Sequence, residues 1–116
     1  MRTLVLGCTV LAIASPAWAH AFLDHSSPAV GATGAPPKQV SIWFTEEVEP
    51  AFSRISVTDG NGNRVDEGGT TIDAANHELL RVTVKPLTSG TYKVTWHVVS
   101  VDTHHTQGDF TFTVVP

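Results

Sequence analysis

Sulfur is almost absent from this chain. The only methionine is Met1 and the only cysteine is Cys8. Both residues fall in a predicted secretory leader, so the remaining domain can form no disulfide and must be stabilised by its core and its sheets. It also offers no thiolate or thioether to a soft metal ion.

Basic residues and long apolar runs are scarce as well. Arg2 is the only basic residue before position 20, so residues 20–116 carry six lysines and arginines against eleven acidic residues, a net charge of −5 with histidine neutral. With no basic run, nucleic acid and anionic membrane surfaces are not expected partners. No segment after the leader approaches the roughly 20 apolar residues of a spanning helix, so no membrane insertion is expected.

Residues 1–19 have the pattern of a cleaved signal peptide. Arg2 supplies the positive charge, Leu4–Ala14 form the apolar stretch, and Ala17 and Ala19 are the small residues that a signal peptidase recognises. Cleavage after Ala19 predicts an exported protein, periplasmic in a cell with an outer membrane. Residues 20–116 have the length of one domain with one core.

Short alternating apolar runs dominate the exported part and predict an all-β fold. The clearest is Thr91–Val99, in which Tyr92, Val94, Trp96 and Val98 share one face. Other predicted strands are His20–His25, Val40–Phe44, Ile55–Thr58, Leu79–Val84 and a closing alternation of Phe110, Phe112 and Val114. Asp59–Asn63 predicts a hairpin turn, Glu67–Glu78 is predicted to be a surface loop or a short irregular strand, and Asp102–Asp109 is predicted to be a polar loop. About seven short antiparallel strands indicate a Greek-key β-barrel or an immunoglobulin-like sandwich.

The predicted cleavage site makes a histidine the first residue of the exported protein. The free amine and the imidazole of His20 can close one chelate ring around a metal, which an internal histidine cannot do. The sequence Asp102-Thr103-His104-His105 offers partners, because residues two apart on an extended backbone point the same way. Asp102 and His104 are therefore expected to converge on one ion. Three nitrogens and one oxygen suit tetragonal Cu(II), although zinc could use the same groups.

The other histidines and the tryptophans have simpler interpretations. His105 is the best substitute ligand, since a loop could turn it toward the ion, but it is expected to face elsewhere. His25, His77 and His97 are not expected to bind metal. Trp43 and Trp96 are expected in the core.

Three stretches of the chain resemble the CopC family of periplasmic copper-binding and copper-resistance proteins. They follow the leader ending in Ala19 and are HAFLDHSSPAVGA (His20–Ala32), PKQVSIWFTEEVEP (Pro37–Pro50) and GTYKVTWHVVSVDTHHTQGDFTFTV (Gly90–Val114). The resemblance spans the exported domain. It implies a Greek-key β-barrel with a Cu(II) site near one end. The methionine-rich motif of members that also hold Cu(I) is missing.

The resemblance also implies a ligand set and a partner. The metal ligands would be His20, Asp102 and His104, while Glu46, which follows Phe44-Thr45, lies near the metal in some members and is expected in an outer-shell or water-mediated role. The expected function is a non-enzymatic carrier or buffer of copper in homeostasis, resistance or uptake. A CopD-like inner-membrane copper transporter is the implied partner, and we expect a monomer.

Two other functions compete with this interpretation. A copper-dependent oxidase resembling the histidine-brace monooxygenases would also begin with a chelating histidine, but a carboxylate ligand stabilises Cu(II) and disfavours redox cycling. A non-catalytic immunoglobulin-like interaction module would bind metal only incidentally. Copper titration separates the module from the other two functions, and a reductant-driven oxidation assay separates the oxidase from the carrier.

Overall fold

The computed structural model describes residues 21–116, which form eight β-strands and one short 3-10 turn. The strands are β1 (Leu23–Ser27), β2 (Thr33–Gly34), β3 (Gln39–Phe44), β4 (Arg54–Thr58), β5 (Thr71–Asp73), β6 (Asn76–Thr83), β7 (Gly90–Val99) and β8 (His105–Val114), with the turn at Pro50–Phe52. The predicted leader and His20 lie outside the described residues.

The strands form two four-stranded sheets. One has the order β1-β3-β6-β5 and the other the order β2-β8-β7-β4. All neighbours are antiparallel except β2, which pairs with β8 in parallel over two residues. The predicted all-β class is confirmed, in the form of a sandwich of two sheets.

Alternation along the strands builds a core between the two sheets. On β7 the even-numbered residues 92–98 are buried, as predicted, and on β8 the buried residues are Phe110, Phe112 and Val114. Phe44 of the facing sheet meets the Trp96 ring edge-to-face, with the centroids 5.2 Å apart. Because side chains of a strand alternate between its faces, the odd-numbered residues of both strands point outward.

The second half of the predicted Asp102–Asp109 loop is a strand. β8 begins at His105 and pairs with β7 without interruption, from Val99↔His105 to Gly90↔Val114. Gly108 lies opposite Trp96, and a Cβ atom at position 108 would lie 2.6 Å from the indole ring. Gly108 therefore does not form a turn. It leaves the space that the ring of the core residue Trp96 occupies.

Two further expectations are corrected. Trp43 is only half-buried and lies outside the core cluster, because its neighbours Val40, Ile42 and Phe44 take the inward positions of β3. His77 lies in β6 rather than in a loop, although it is exposed as expected. The predicted turn at Asp59–Asn63 is confirmed, with the Asp59 carboxylate accepting hydrogen bonds from the amides of Asn61 and Asn63.

A buried carboxylate closes the free edge of β4. The Asp66 side chain is inaccessible to solvent and accepts hydrogen bonds from the amides of Val57 (2.7 Å) and Gly68 (2.9 Å) and from the Arg64 guanidinium (2.6 Å). Burial alone would raise the pKa of Asp66, but these hydrogen bonds and the charge of Arg64 together lower it below its ordinary value. Asp66 is therefore ionised in the folded protein, and its charge is stabilised by contacts that exist only in the folded state.

Within residues 21–116, no helix has the length and apolar character needed to cross a membrane.

We expect Asp66→Asn to lower the free energy of unfolding at pH 7 by about 1.5–3 kcal/mol, the usual range for hydrogen bonds to a charged group. The folded-state pKa of Asp66 lies below that of the unfolded chain. Its stabilisation is therefore full above the unfolded value of about 3.9 and is lost as the pH falls through the folded value. Urea unfolding at pH 7 and pH 3 should show wild type and variant converging in acid.

Asp73→Asn is the matched control. Asp73 also pairs with an arginine, Arg81 at 2.9 Å, but its side chain is partly exposed. We expect a smaller loss for this variant at pH 7. Equal losses for the two variants would show that burial of Asp66 is not what matters.

Candidate metal centre

The loop at residues 100–104 joins the two longest strands at one end of the sandwich. It is a tight turn, closed by hydrogen bonds from the Thr103 amide to the Ser100 carbonyl (2.8 Å) and from the Ser100 amide to the His104 carbonyl (2.9 Å). Thr103 has a φ of +73°. This left-handed conformation is unusual for a β-branched residue. The extended backbone assumed from the sequence is therefore wrong for this segment.

The turn nevertheless brings Asp102 and His104 together. The Oδ1 atom of Asp102 and the Nδ1 atom of His104 are 3.3 Å apart, and the two side chains are 49% and 46% exposed. Both groups can thus be reached from solvent while remaining next to each other. One carboxylate oxygen and one imidazole nitrogen form a two-donor group for a cation.

Hydrogen bonding stabilises the ionised form of the Asp102 carboxylate. The Ser100 hydroxyl donates to Oδ1 at 2.5 Å, and this bond is the main cause that lowers the pKa of Asp102. The neighbouring His104 lowers it further, and the slight desolvation of the group opposes both. The carboxylate is therefore available as an anionic ligand at neutral pH.

Residues 47–49 hold the base of this loop. Val48 and Ser100 form an isolated antiparallel bridge, the Val101 amide donates to the Glu47 carbonyl at 3.1 Å, and the Glu49 amide donates to the Val99 carbonyl at 2.8 Å. The loop is thus fixed to the opposite side of the sandwich end as well as to its own strands.

The start of the described chain reaches the same end. Ala21 is fully buried, and its carbonyl accepts a hydrogen bond from the Thr106 hydroxyl at 2.6 Å. The Phe22 amide donates to the Thr45 hydroxyl at 3.0 Å, and the Thr45 amide donates to the Phe22 carbonyl at 2.8 Å. His20 itself lies outside the described residues.

The two weaker ligand candidates are placed differently. His105 is the first residue of β8 and points to the outer face, where it lines a surface cavity with His97 and Arg54. Glu46 is exposed and follows Thr45. Within residues 21–116 no three His, Cys, Asp or Glu side chains form a group that could hold a metal. Neither candidate therefore completes a three-ligand group with Asp102 and His104.

The remaining histidines have other surroundings. The His25 Nδ1–H group donates a hydrogen bond to the Asp24 carboxylate at 2.7 Å, and the ring stacks on Trp43 with the centroids 4.4 Å apart. His77 lines a shallow cavity with Glu47 and Glu78.

Ser100 was not among the residues predicted from the sequence to take part in the site. This serine is 1% exposed and contacts both partners of the loop pair. The available signal was a small polar residue directly after the apolar run Val98-Val99 and two positions before Asp102, because serine often bonds to groups two residues on.

Comparison with known proteins agrees with this fold. Residues 23–115 match the CopC domain family. Protein YobA of Escherichia coli strain K12 is 39% identical over 103 residues, which cover 84% of this chain and 80% of that protein.

Two solved structures are similar along most of the described residues. The crystal structure of CopC from Methylosinus trichosporium OB3b has a TM-score of 0.79 and 37% identity, covering 84% of this chain and 95% of that chain. PcoC, described as a methionine-rich copper resistance protein from Escherichia coli, has a TM-score of 0.76 and 30% identity, covering 84% of this chain and 100% of that chain. With a family match over nearly all of the described residues, this chain belongs to the CopC family.

Proposed function

We propose that this protein is a non-enzymatic carrier or buffer of Cu(II) in the periplasm, acting in copper homeostasis, resistance or uptake. The observation that carries the proposal is the Asp102–His104 pair, 3.3 Å apart and half-exposed at one end of the sandwich. The proposed ligands are the amine and imidazole of His20, the Asp102 carboxylate and the His104 imidazole.

The spacing of the pair suits one shared ion. Donor atoms that each lie about 2.0–2.1 Å from a metal are separated by about 2.9 Å at a right angle and about 3.4 Å at a tetrahedral angle. The observed 3.3 Å between Oδ1 and Nδ1 lies near the tetrahedral value, so the two donors need to approach each other by about 0.4 Å to bind Cu(II) at a right angle.

Covalent connectivity favours position 20 as the source of the other donors. Ala21 is hydrogen-bonded to Thr106, which is two residues beyond His104. Position 20 is joined to Ala21 by one peptide bond, and this attachment supports His20 as the source of the other donors. If a signal peptidase cleaves after Ala19, His20 gains the free amine that the chelate needs.

The donor set favours Cu(II) over softer ions. It contains nitrogen and carboxylate oxygen, and residues 20–116 contain no cysteine and no methionine. Cu(II) also stands at the top of the affinity series for divalent first-row metals. PcoC, by contrast, is described as methionine-rich.

A carrier role suits this arrangement better than oxidation chemistry does. The carboxylate of Asp102 stabilises the higher charge of Cu(II), and the exposure of both loop ligands leaves the ion accessible to an acceptor. We propose that the acceptor is a CopD-like copper transporter of the inner membrane and that the carrier itself acts as a monomer.

Adding one residue before His20 in the processed protein should weaken Cu(II) binding by orders of magnitude. The extension converts the free amine into an amide and removes the chelate ring. Competition titration against a Cu(II) chelator measures the change. Equal affinities for the extended and the native protein would refute a site created by processing.

Asp102→Ala and His104→Ala should each weaken Cu(II) binding strongly, because each removes a ligand. His25→Ala and His77→Ala are the matched controls and should leave the affinity nearly unchanged, since His25 pairs with Asp24 and His77 lines a separate cavity with Glu47 and Glu78. Circular dichroism should show all four variants folded. A larger loss from His105→Ala than from His104→Ala would mean that the wrong histidine has been assigned.

Reduction by ascorbate should release the metal to a Cu(I) chelator. Cu(I) prefers sulfur donors, and the proposed site supplies none. The measurement is the rate and extent of copper transfer with and without ascorbate. Equally tight retention of Cu(I) and Cu(II) would contradict the carrier of Cu(II) and favour a redox-cycling enzyme.

A further inference from the structure

The hydroxyl of Ser100 lies between the two proposed loop ligands. Its Oγ atom donates to Oδ1 of Asp102 at 2.5 Å and accepts a hydrogen bond from the backbone amide of His104 at 3.2 Å. The side chain is buried, since Ser100 as a whole is only 1% exposed. One buried oxygen therefore contacts the carboxylate of one ligand and the backbone of the other.

The direction of these bonds is fixed by the chemistry of the partners. A serine hydroxyl has one proton to donate, and an ionised carboxylate can only accept. The hydroxyl also lies 3.4 Å from the His104 carbonyl oxygen, but the much shorter contact with Asp102 takes the proton, and a lone pair remains for the amide of His104. Loss of the hydroxyl would release both contacts at once.

The backbone of the same loop needs such support. Thr103, between the two ligands, has a φ of +73°, which β-branched residues disfavour. The turn around it closes on Ser100, whose carbonyl accepts from the Thr103 amide and whose amide donates to the His104 carbonyl. Disfavoured backbone conformations persist where surrounding contacts over-determine them, and they are frequent at binding sites.

Ser100 is also well anchored itself. It forms a bridge with Val48 on the opposite side of the sandwich end. Its hydroxyl is thus held by the fold, so it can position the Asp102 carboxylate and the backbone of His104.

We propose that Ser100 is a positioning residue that holds Asp102 and His104 in their metal-binding arrangement before the ion arrives. This inference rests on the proposed copper function. In other metal sites, hydrogen-bond partners orient the metal ligands, and loss of such a partner typically weakens metal binding 10- to 100-fold. We assign this role to the buried serine.

The test compares Ser100→Ala with Ser53→Ala in the processed, secreted protein. Ser53 is a matched control, because it is also a buried serine at this end and its hydroxyl accepts a hydrogen bond from the Val99 amide at 3.1 Å. Ser100→Ala should weaken Cu(II) binding about 10- to 100-fold in a chelator competition and should change the Cu(II) electron paramagnetic resonance spectrum. Ser53→Ala should lower the thermal stability of the metal-free protein but leave the affinity and the spectrum unchanged.

A second pair of variants isolates the hydroxyl. Threonine and valine have nearly the same shape, so Ser100→Thr and Ser100→Val differ at the critical atom only. The threonine variant should bind Cu(II) more tightly than the valine variant and keep a spectrum closer to that of the wild type. This comparison decides the matter even if the alanine variant does not fold.

Equal affinity and equal spectra for wild type and Ser100→Ala, or for the threonine and valine variants, would overturn the inference. An equal loss from Ser53→Ala would also overturn it, because the effect would then be one of general stability. Failure of the wild type to bind Cu(II), or full binding by Asp102→Ala, would instead refute the proposed function.

Discussion

The uninterrupted pairing of β7 with β8 is the constraint on which the core and the candidate metal centre both depend. Ten residue pairs keep one register from Gly90↔Val114 to Val99↔His105. A slip of one residue would exchange the inward and outward faces of a strand. It would remove Phe110 and Phe112 from the core and turn Thr106 away from Ala21. The same register therefore fixes hydrophobic packing and the surroundings of the loop between the strands.

At the edges and ends of the sandwich, side chains form hydrogen bonds with backbone groups that have no neighbouring strand to pair with. Asp66 and Thr70 satisfy the amides of Val57 and Ile55 on the outer edge of β4, which would otherwise be open to pairing with another chain. Thr106 and Ser53 act in the same way near the candidate site. Contacts of this kind stabilise an irregular backbone. A cluster of metal ligands requires such a backbone, because a regular β-ladder does not bring the ligands together.

The periodicity of the sequence predicted which residues of a strand are buried, whereas contacts between strands could not be predicted from it. The buried face of β7 followed from alternation alone, and the same rule applied strictly to β3 would have placed Trp43 outside, as the structure does. Gly108 fell within the predicted polar loop Asp102–Asp109, whereas it lies in β8 and is required by the Trp96 ring on the neighbouring strand. No single-sequence pattern reports a contact of that kind.

The candidate site shows the same division. That Asp102 and His104 lie together was predicted, but from an extended backbone that is not there; the turn and the left-handed Thr103 bring them together instead. The sequence indicated at most that Ser100 could bond to Asp102 two residues on, and its contact with the His104 amide depends on the fold of the turn. The contribution of His20 stays a prediction, because that residue lies outside the described residues.

The position of Ala21 has a consequence for the order in which the molecule assembles. The two loop ligands belong to a hairpin of adjacent strands, whose closure costs little chain entropy, whereas Ala21 meets Thr106 across 85 residues. Contacts between residues far apart in sequence cost more chain entropy to form than local ones. On this ground we expect the N-terminal segment to join the end of the sandwich after the hairpin has formed. Under the proposed ligand set, the hairpin alone holds only two donors, and tight copper binding requires the completed fold.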